Sequence, residues 1–415
     1  MARKMKDSGI EWIGEIPEGW EVLAHKYIMH KEKSICEHYS GEDVISLTLN
    51  GVVKRDLENP FGKMPTTFDG YQFVDPNDLL LCLFDIDVTP RCVGLVKDYG
   101  VTSPAYSRFK IHSGFCNAYY NYLLRFIDDE KVFVHLSKNL RSSLTESDFG
   151  AIKTIVPPKA EQQRIADYLD NRTFEIDTLL SKARSSIEEY KKLKQAVITQ
   201  AVTKGVRGER EMKDSGVDWI GEIPVDWEIS RIKYVSIFEP SCDFRKLTPE
   251  TIITYSPMEC IKNGTFERRT SLYGNLAHTL TPFQNGDIVM AKVTPCFENG
   301  NIAIMNELQS GYGLGSSELF VFRPQNINTR YLFYWLQNKL FVHQACATMT
   351  GTGGLKRISP SFVKNCNIHY PSTAEQAQIA AYLDTKCAEI DRLIAKKEQL
   401  VKELERYKKS LIYEV

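Results

Sequence analysis

The side chains of this chain that could do chemistry are basic and amide groups set among aromatic residues in short loops. Arginine and asparagine can each make two hydrogen bonds to the edge of guanine or adenine, and lysine can meet a phosphate. In the first half the candidates are Arg91, Lys97, Tyr106, Arg108 and Lys110. In the second half they are Lys262, Arg268, Arg269, Lys292, Asn299, Asn301, Lys356 and Arg357. Because loops are polar in most proteins, each cluster taken alone also fits a solvated surface loop.

Three further segments resemble catalytic or cofactor-binding motifs, and each lacks an essential part. The Ser-Pro-Ala-Tyr run at 103–106 lacks the second proline of the loop with which amino-methyltransferases hold a base. The glycine-rich run at 311–317 leads into a predicted strand, whereas a dinucleotide-binding loop leads into a helix. The glycine-rich run at 351–357 resembles a phosphate-binding loop, but its Lys356 is not followed by Ser or Thr. The cysteines form no CxxC pair and no zinc-ligand spacing with histidine. We therefore expect no catalysis, no metal and no cofactor on this chain.

The elements that must position these loops are revealed by an internal repeat. Residues 5–22 (MKDSGIEWIGEIPEGWEV) and 212–229 (MKDSGVDWIGEIPVDWEI) are identical at thirteen of eighteen positions. Residues 160–170 (AEQQRIADYLD) recur at 374–384 (AEQAQIAAYLD), whereas the sequence between the matched segments has diverged almost completely. The chain is thus two copies of one domain-sized unit. Constant ends around a variable middle indicate a fixed scaffold that carries a changing recognition surface.

Each half predicts the same order of elements, and together they predict an α+β fold. Short β-branched and aromatic runs between turn residues, such as 44–49 and 318–322, are typical of strands. A proline-led helix closes each half, with a capping box predicted at Ser372 and Glu375. Apolar residues at steps of three and four form a stripe on these helices: Ile176, Leu179, Ala183, Tyr190, Leu193 and Val197, then Ile390, Leu393, Leu400, Leu404, Tyr407 and Leu411. The stripes predict a long antiparallel coiled-coil-like pair, although each helix could instead pack on its own domain.

Composition excludes a membrane protein and leaves the partner open. Charged residues make up 25% of the chain and the formal net charge is −1, so only a local basic patch could favour nucleic acid. No apolar run approaches the length of a membrane span, and no apolar core follows the basic N-terminal residues. We expect a cytoplasmic protein with reduced thiols.

The repeated segments, together with residues 291–300 (AKVTPCFENG) and 102–106 (TSPAY), resemble the DNA-specificity subunit of type I restriction–modification enzymes. The resemblance extends over essentially the whole chain, in the right order, twice. It implies two target-recognition domains, at 1–156 and 206–370, each reading one half of a bipartite, asymmetric target in double-stranded DNA. It also implies conserved spacer helices at 157–205 and 371–415, on which two modification subunits dock and which set the gap between the half-sites. S-adenosylmethionine, ATP and Mg are expected only on the modification and restriction subunits.

Two points stay open at the level of sequence. The second helix stops one to two turns earlier than the first relative to the repeat, which leaves partner docking on that side undecided. The competing function is a structural adaptor that uses the helices for assembly without reading DNA.

Overall fold

In a computed structural model, the short β-branched and aromatic runs form strands and the proline-led segments form long helices. The structure describes residues 3–49, 51–59, 65–137, 142–262, 264–277, 279–351 and 354–414. The chain divides into two compact units. Unit 1 comprises Met1–Lys182 and Val401–Val415, and unit 2 comprises Ala183–Leu400. Each unit therefore contains one recognition region and a part of both long helices. The domain boundaries that we predicted from the sequence stay a prediction.

Unit 1 contains thirteen strands and three short helices among its described residues. The strands are β1 (Met5–Asp7), β2 (Glu15–Pro17), β3 (Glu21–Ala24), β4 (Met29–Lys31), β5 (Ile35–Cys36), β6 (Val44–Thr48), β7 (Gly51–Lys54), β8 (Tyr71–Val74), β9 (Leu79–Leu81), β10 (Val93–Leu95), β11 (Gly100–Thr102), β12 (Ser107–Ile111) and β13 (Lys153–Val156). The helices are α1 (Asn117–Asp129), α2 (Val132–Leu136) and α3 (Glu146–Ala151). The first long helix, α4, runs without interruption over Lys159–Lys204.

Two sheets organise the recognition region of unit 1. One has the strand order β10-β9-β12-β4, and the other has the order β5-β8-β11-β6-β7. Helix α1 packs on the first sheet and buries Tyr120, Leu124 and Ile127 against Leu79 and Val93. The helix carries these residues at steps of three and four, so one apolar face meets the sheet.

Unit 2 repeats this plan with its own elements. The strands are β14 (Met212–Asp214), β15 (Glu222–Pro224), β16 (Glu228–Arg231), β17 (Ser236–Phe238), β18 (Ile252–Ser256), β19 (Ile261–Lys262), β20 (Thr265–Phe266), β21 (Arg269–Leu272), β22 (Thr281–Gln284), β23 (Ile288–Ala291), β24 (Ile302–Ile304), β25 (Tyr312–Gly315), β26 (Leu319–Pro324) and β27 (Asn367–Tyr370). The helices are α5 (Ile232–Val235), α6 (Thr329–Trp335), α7 (Lys339–Ala347), α8 (Pro360–Asn365) and the second long helix, α9 (Thr373–Glu414).

The sheets of unit 2 have the orders β17-β26-β23-β24 and β21-β18-β25-β22. Strand β23 lies in the interior of its sheet, and all four of its residues are buried. Helix α6 covers the sheet and buries Tyr331, Leu332 and Trp335. The α+β class predicted from the sequence is confirmed, and each unit mixes short strands with helices.

Within each unit the two long helices run in opposite directions. In unit 1 Lys408 binds Asp177 at 2.6 Å, and Leu411 packs with Ile176 and Leu180. In unit 2 Lys194 binds Asp391 at 2.7 Å. The helix pairing expected from the apolar stripes is therefore present in both units.

The buried seam differs in part from the predicted stripe. Ile176, Ala183, Ile390 and Leu411 are buried, and Tyr190, Val197 and Leu404 are half-buried. The other five stripe residues are exposed: Leu179, Leu193, Leu393, Leu400 and Tyr407. Leu180 and Ile198 are buried in the helices instead, and Ile187, which continues the same apolar spacing, is buried as well. In α4 the buried residues Ile176, Leu180, Ala183 and Ile187 keep alternate steps of four and three, so the heptad period holds. The predicted stripe instead took Leu179, one residue before Leu180, and that position faces solvent.

A glutamate at the start of each long helix is held by an arginine that lies two residues before the repeated segment. Arg3 donates to Glu161 at 2.5 Å in unit 1, and Arg210 donates to Glu375 at 2.5 Å in unit 2. Only one of the two hydrogen bonds of the predicted capping box is present. The Ser372 hydroxyl accepts from the Glu375 amide at 3.4 Å, but the Glu375 carboxylate binds Arg210 and not the Ser372 amide, so the prediction of a reciprocal box is wrong. A charged guanidinium is the stronger partner for that carboxylate. Among the described residues, no helix combines the length and the apolarity needed to span a membrane.

Candidate nucleic-acid interface

Two loops of unit 2 bring Lys292, Lys356 and Arg357 together at the carboxyl end of β23. Val293 and Arg357 form an antiparallel bridge, the Thr294 amide donates to the Lys356 carbonyl at 3.0 Å, and the Ile358 amide donates to the Lys292 carbonyl at 2.9 Å. Residues 352 and 353 of the second loop lie outside the described residues. We call Lys292, Lys356 and Arg357 the basic loop cluster.

The Glu318 carboxylate fixes the position of Arg357 within the basic loop cluster. Arg357 makes two hydrogen bonds to Glu318, at 2.7 and 2.9 Å, and its guanidinium lowers the pKa of that carboxyl below its usual range. The Lys292 ammonium lies 5.6 Å from the centre of the Phe320 ring. The Arg357 side chain is 52% exposed, so a base edge can reach the guanidinium if it competes with Glu318. A fixed planar donor of this kind suits bidentate recognition of guanine.

The other arginines predicted in unit 2 are also paired on the surface. Arg268 binds Glu307 at 2.5 Å, and Arg269 binds Glu267 at 2.9 Å and Glu259 at 3.3 Å. Lys262 is exposed. Exposed pairs of this kind contribute little stability, so DNA phosphates can displace their carboxylates at low cost.

Asn299 and Asn301 line a groove of about 1440 Å³ that is also lined by Lys191, Lys194 and Gln195 of α4. Lys194 is held there by Asp391. The Asn301 carbonyl accepts the amide of Ala291, the residue before Lys292, at 2.9 Å, so this groove adjoins the strand end that carries the basic loop cluster.

In unit 1 four of the five predicted residues, all except Arg108, are accessible in whole or in part. Lys97 is exposed, and Tyr106 is half-buried, with burial raising the pKa of its hydroxyl. The Tyr106 carbonyl accepts the Gln72 side-chain amide at 2.7 Å, which fixes the turn at 103–106. Lys110 pairs with Glu32 at 3.0 Å and lies 3.5 Å from Asp75.

Arg108, predicted as a base-reading residue, is instead structural. Its side chain is 2% exposed and donates to Asp78 at 2.5 Å, to Asp75 at 2.6 Å and to the Phe73 carbonyl at 2.9 Å. Arg108 and its neighbour Phe109 point to opposite faces of β12 and are both buried, so the strand is covered on both sides at this point. A base cannot reach a guanidinium whose donors are already used inside the domain.

Arg91 is half-buried and neighbours a second arginine that sequence reasoning missed. Its Nε and that of Arg125 in α1 are both buried without a hydrogen-bond partner among the described residues. Burial lowers the pKa of Arg125, and the positive charge of Arg91 adds to the effect. The available signal was one charged residue inside the apolar run Leu-Leu-Arg-Phe-Ile at 123–127.

Comparison with known proteins gives one consistent result. Residues 224–405 match the family described as type I restriction modification DNA specificity domain. The chain is 32% identical to the type I restriction enzyme EcoEI specificity subunit of Escherichia coli over 163 residues, which cover 38% of this chain and 27% of that protein. It is 26% identical to the type I restriction enzyme MjaVIII specificity subunit of Methanocaldococcus jannaschii, over 64% of this chain and 61% of that protein.

A solved structure shows the same fold over nearly the whole chain. A chain from a structure of the type I R-M system superimposes with a TM-score of 0.68 at 15% identity, covering 96% of this chain and 97% of the other. By sequence, however, the match spans only about a quarter of the length of the two Escherichia coli relatives.

Proposed function

We propose that the chain is a member of the family of type I restriction–modification DNA-specificity subunits, because residues 224–405 match that family's domain and the EcoEI specificity subunit is 32% identical over 163 residues. The proposed function is sequence-specific recognition of double-stranded DNA without catalysis. Each recognition region reads one half of a bipartite, asymmetric target, and the paired long helices set the gap between the halves. The observation that carries the proposal is the family match over residues 224–405, together with the internal repeat that extends the same scaffold to the first half.

The surface of unit 2 supports this assignment. The basic loop cluster combines an arginine that suits a base edge with two lysines that suit phosphates. Lys262, Arg268 and Arg269 add exposed positive charge. In unit 1, Arg91, Lys97, Tyr106 and Lys110 stay predictions for contact with DNA.

The proposed family also implies partner subunits for this chain. Two modification subunits dock on the long helices, where Leu179, Leu193, Leu393, Leu400 and Tyr407 are exposed. S-adenosylmethionine, ATP and Mg act on the modification and restriction subunits, and the complex works in the cytoplasm, where it meets cellular DNA. Because three candidate arginines of unit 2 are paired with carboxylates and the net charge is −1, this chain alone releases few counterions on binding. Tight, specific binding therefore requires the assembled complex.

A region swap tests the proposal. Residues 23–156 are replaced by the equivalent region of a relative with another target, and the complex with modification subunits is assayed by methylation mapping. We expect one half-site to change and the other to stay. A swap that changes both half-sites, or neither, contradicts modular reading. Filter binding of the complex across a salt series separates DNA reading from a purely structural adaptor, which would show no sequence preference at any salt concentration.

A further inference from the structure

Two arginines of unit 1, Arg91 and Arg125, lie side by side where a loop meets a helix. Arg91 is near the end of the loop that joins β9 to β10, and Arg125 is in α1. The amide of Cys92, the residue after Arg91, donates to the buried Asp128 carboxylate of α1 at 2.8 Å. Asp128 follows Arg125 by three residues, which is about one helical turn. This hydrogen bond therefore holds the end of the loop, with Arg91, against the part of α1 that carries Arg125.

The two arginines keep donors that no described residue satisfies. The Nε atoms of both are buried without a hydrogen-bond partner among the described residues. The Arg125 guanidinium lies 5.7 Å from the centre of the Tyr122 ring. Burial, and then the positive charge of Arg91, lower the pKa of Arg125, while the carboxylates of Asp129 and Asp177 oppose this effect. Two half-buried like charges with unused donors are costly, so the place suits an anion that can accept from both.

Unit 2 shows that the fold does not need this pair. The loop between the equivalent strands has the same length there, and Gly300 takes the place of Arg91. Gln337 takes the place of Arg125, since each follows by three residues a tyrosine that binds an aspartate of a long helix at 2.7 Å. The two arginines are thus replaced together by uncharged residues, which favours a shared role in binding over a role in folding.

The distribution of charge on this loop indicates which anion the pair binds. Unit 2 has Lys292, a residue suited to phosphate, where unit 1 has the apolar Leu83. The positive charge of the loop is therefore at its start in unit 2 and at its end in unit 1. A guanidinium also presents a planar fork of donors that matches the oxygens of a phosphate.

We propose that Arg91 and Arg125 together bind one phosphate of the DNA backbone. The inference rests on the proposed function, because that function supplies the DNA. It adds Arg125 to the residues that contact DNA, and it assigns Arg91 to the backbone and not to a base.

The test uses this chain assembled with its modification subunits and a duplex that carries the target found by methylation mapping. Arg91→Met and Arg125→Met each remove one charge and keep a long side chain. We expect each to weaken binding to every single-base variant of the target alike, by about 10- to 100-fold, the range of a hydrogen bond to a charged group. The matched control, Lys153→Met, removes an exposed positive charge from the same unit and should leave binding nearly unchanged.

The double variant tests whether the two arginines share one phosphate. Residues that act on the same group are not additive, so the loss in the double variant should be smaller than the product of the two single losses. The slope of the logarithm of the binding constant against the logarithm of the salt concentration should fall in magnitude by about one in the double variant, because one phosphate contact is lost.

Four results would overturn the proposal. Specific binding that both single variants leave unchanged would show that the pair holds no part of the DNA. A loss confined to one base pair would assign the pair to a base, and weaker assembly with the modification subunits would assign it to an acidic group of a partner. A lower urea midpoint in both variants would assign it to the fold.

A duplex without the target separates this inference from the proposed function. If the unsubstituted complex binds both duplexes equally well, sequence-specific recognition fails as the function. An equal weakening of both duplexes by the two arginine variants would still support the phosphate site.

Discussion

Arg108 donates from Nε to Asp78 at 2.5 Å inside unit 1, and unit 2 contains the same pair in Arg323 and Asp287, at 2.8 Å. In both cases the aspartate directly precedes a buried strand, β9 or β23, and the arginine lies on the strand that pairs with it, β12 or β26. The two recognition regions have lost nearly all sequence similarity between their constant ends. They nevertheless both bind that aspartate with an arginine of the neighbouring strand, although Arg323 is directly opposite Asp287 and Arg108 is two residues from the position opposite Asp78. The recurrence of the aspartate–arginine pair indicates a structural role.

Loss of Arg108 should therefore destabilise the domain. Arg108→Met leaves Asp78 buried without its partner, and breaking a buried pair in this way costs about 3–5 kcal/mol in the free energy of unfolding. Urea unfolding measures the loss. Arg357→Met, which breaks an exposed pair, is the matched control and should cost at most about 1 kcal/mol. Equal effects of the two substitutions would contradict the structural role of Arg108.

Arg357 and Lys292 should affect DNA binding in different ways. Arg357→Ala in the assembled complex should cost about 1–3 kcal/mol and relax the preference at one base pair, because a bidentate contact to one base is lost. Lys292→Ala should weaken binding to all target sequences alike, because a phosphate contact is lost. The slope of the logarithm of the binding constant against the logarithm of the salt concentration should fall in magnitude by about one. Binding to a panel of single-base target variants at several salt concentrations distinguishes them. A uniform loss for Arg357→Ala would show that it meets a phosphate.

Acid should destabilise both units through two buried histidines. Burial lowers the pKa of His25 and of His369 from 6.5 to about 4. The unfolded chain therefore binds protons more readily than the folded chain. The contribution of each neutral histidine to the free energy of unfolding is fully present above pH 6.5 and is lost as the pH falls from 6.5 toward 4. Each histidine can contribute up to roughly 3 kcal/mol of this loss.

Urea midpoints between pH 7.5 and pH 4.5 measure the acid effect. His25→Phe should flatten the pH dependence of unit 1, because an aromatic ring beside Phe149 is kept while the titrating group is removed. An unchanged slope in this variant would mean that His25 does not carry the acid sensitivity.

The length of the helix pair should set the gap in the DNA target. Because Lys194 pairs with Asp391, residue 189 is opposite residue 396. Four residues inserted after both Glu189 and Lys396 add about one turn, or about 6 Å, to the pair and preserve its register. We expect the non-contacted gap, about 5–8 base pairs, to lengthen by one to two base pairs, at roughly 3.4 Å per base pair, while the recognised bases stay the same.

Methylation mapping of the insertion variant decides this prediction. The control has the insertion after Glu189 alone, which shifts one helix past its partner and should reduce activity. An active paired variant with an unchanged gap would show that the helices do not determine the spacing.

Much of the architecture was available from the sequence because it depends on local patterns. The repeat of residues 5–22 at 212–229 predicted two copies of one unit, and the apolar steps on the two proline-led segments predicted the long helices. The residues on which the resemblance rests also indicated the family whose domain residues 224–405 match. These signals are readable because strand alternation, helix periodicity and turn residues act over a few neighbours.

Tertiary structure determines whether each charged side chain is buried or exposed and which partner it binds. Arg108 and Arg357 look alike in the sequence, since each is a basic residue near an aromatic or glycine-rich run. One is turned inward and bound by Asp78, and the other is exposed beside Glu318. Their partners are distant in sequence, so no local pattern could distinguish them.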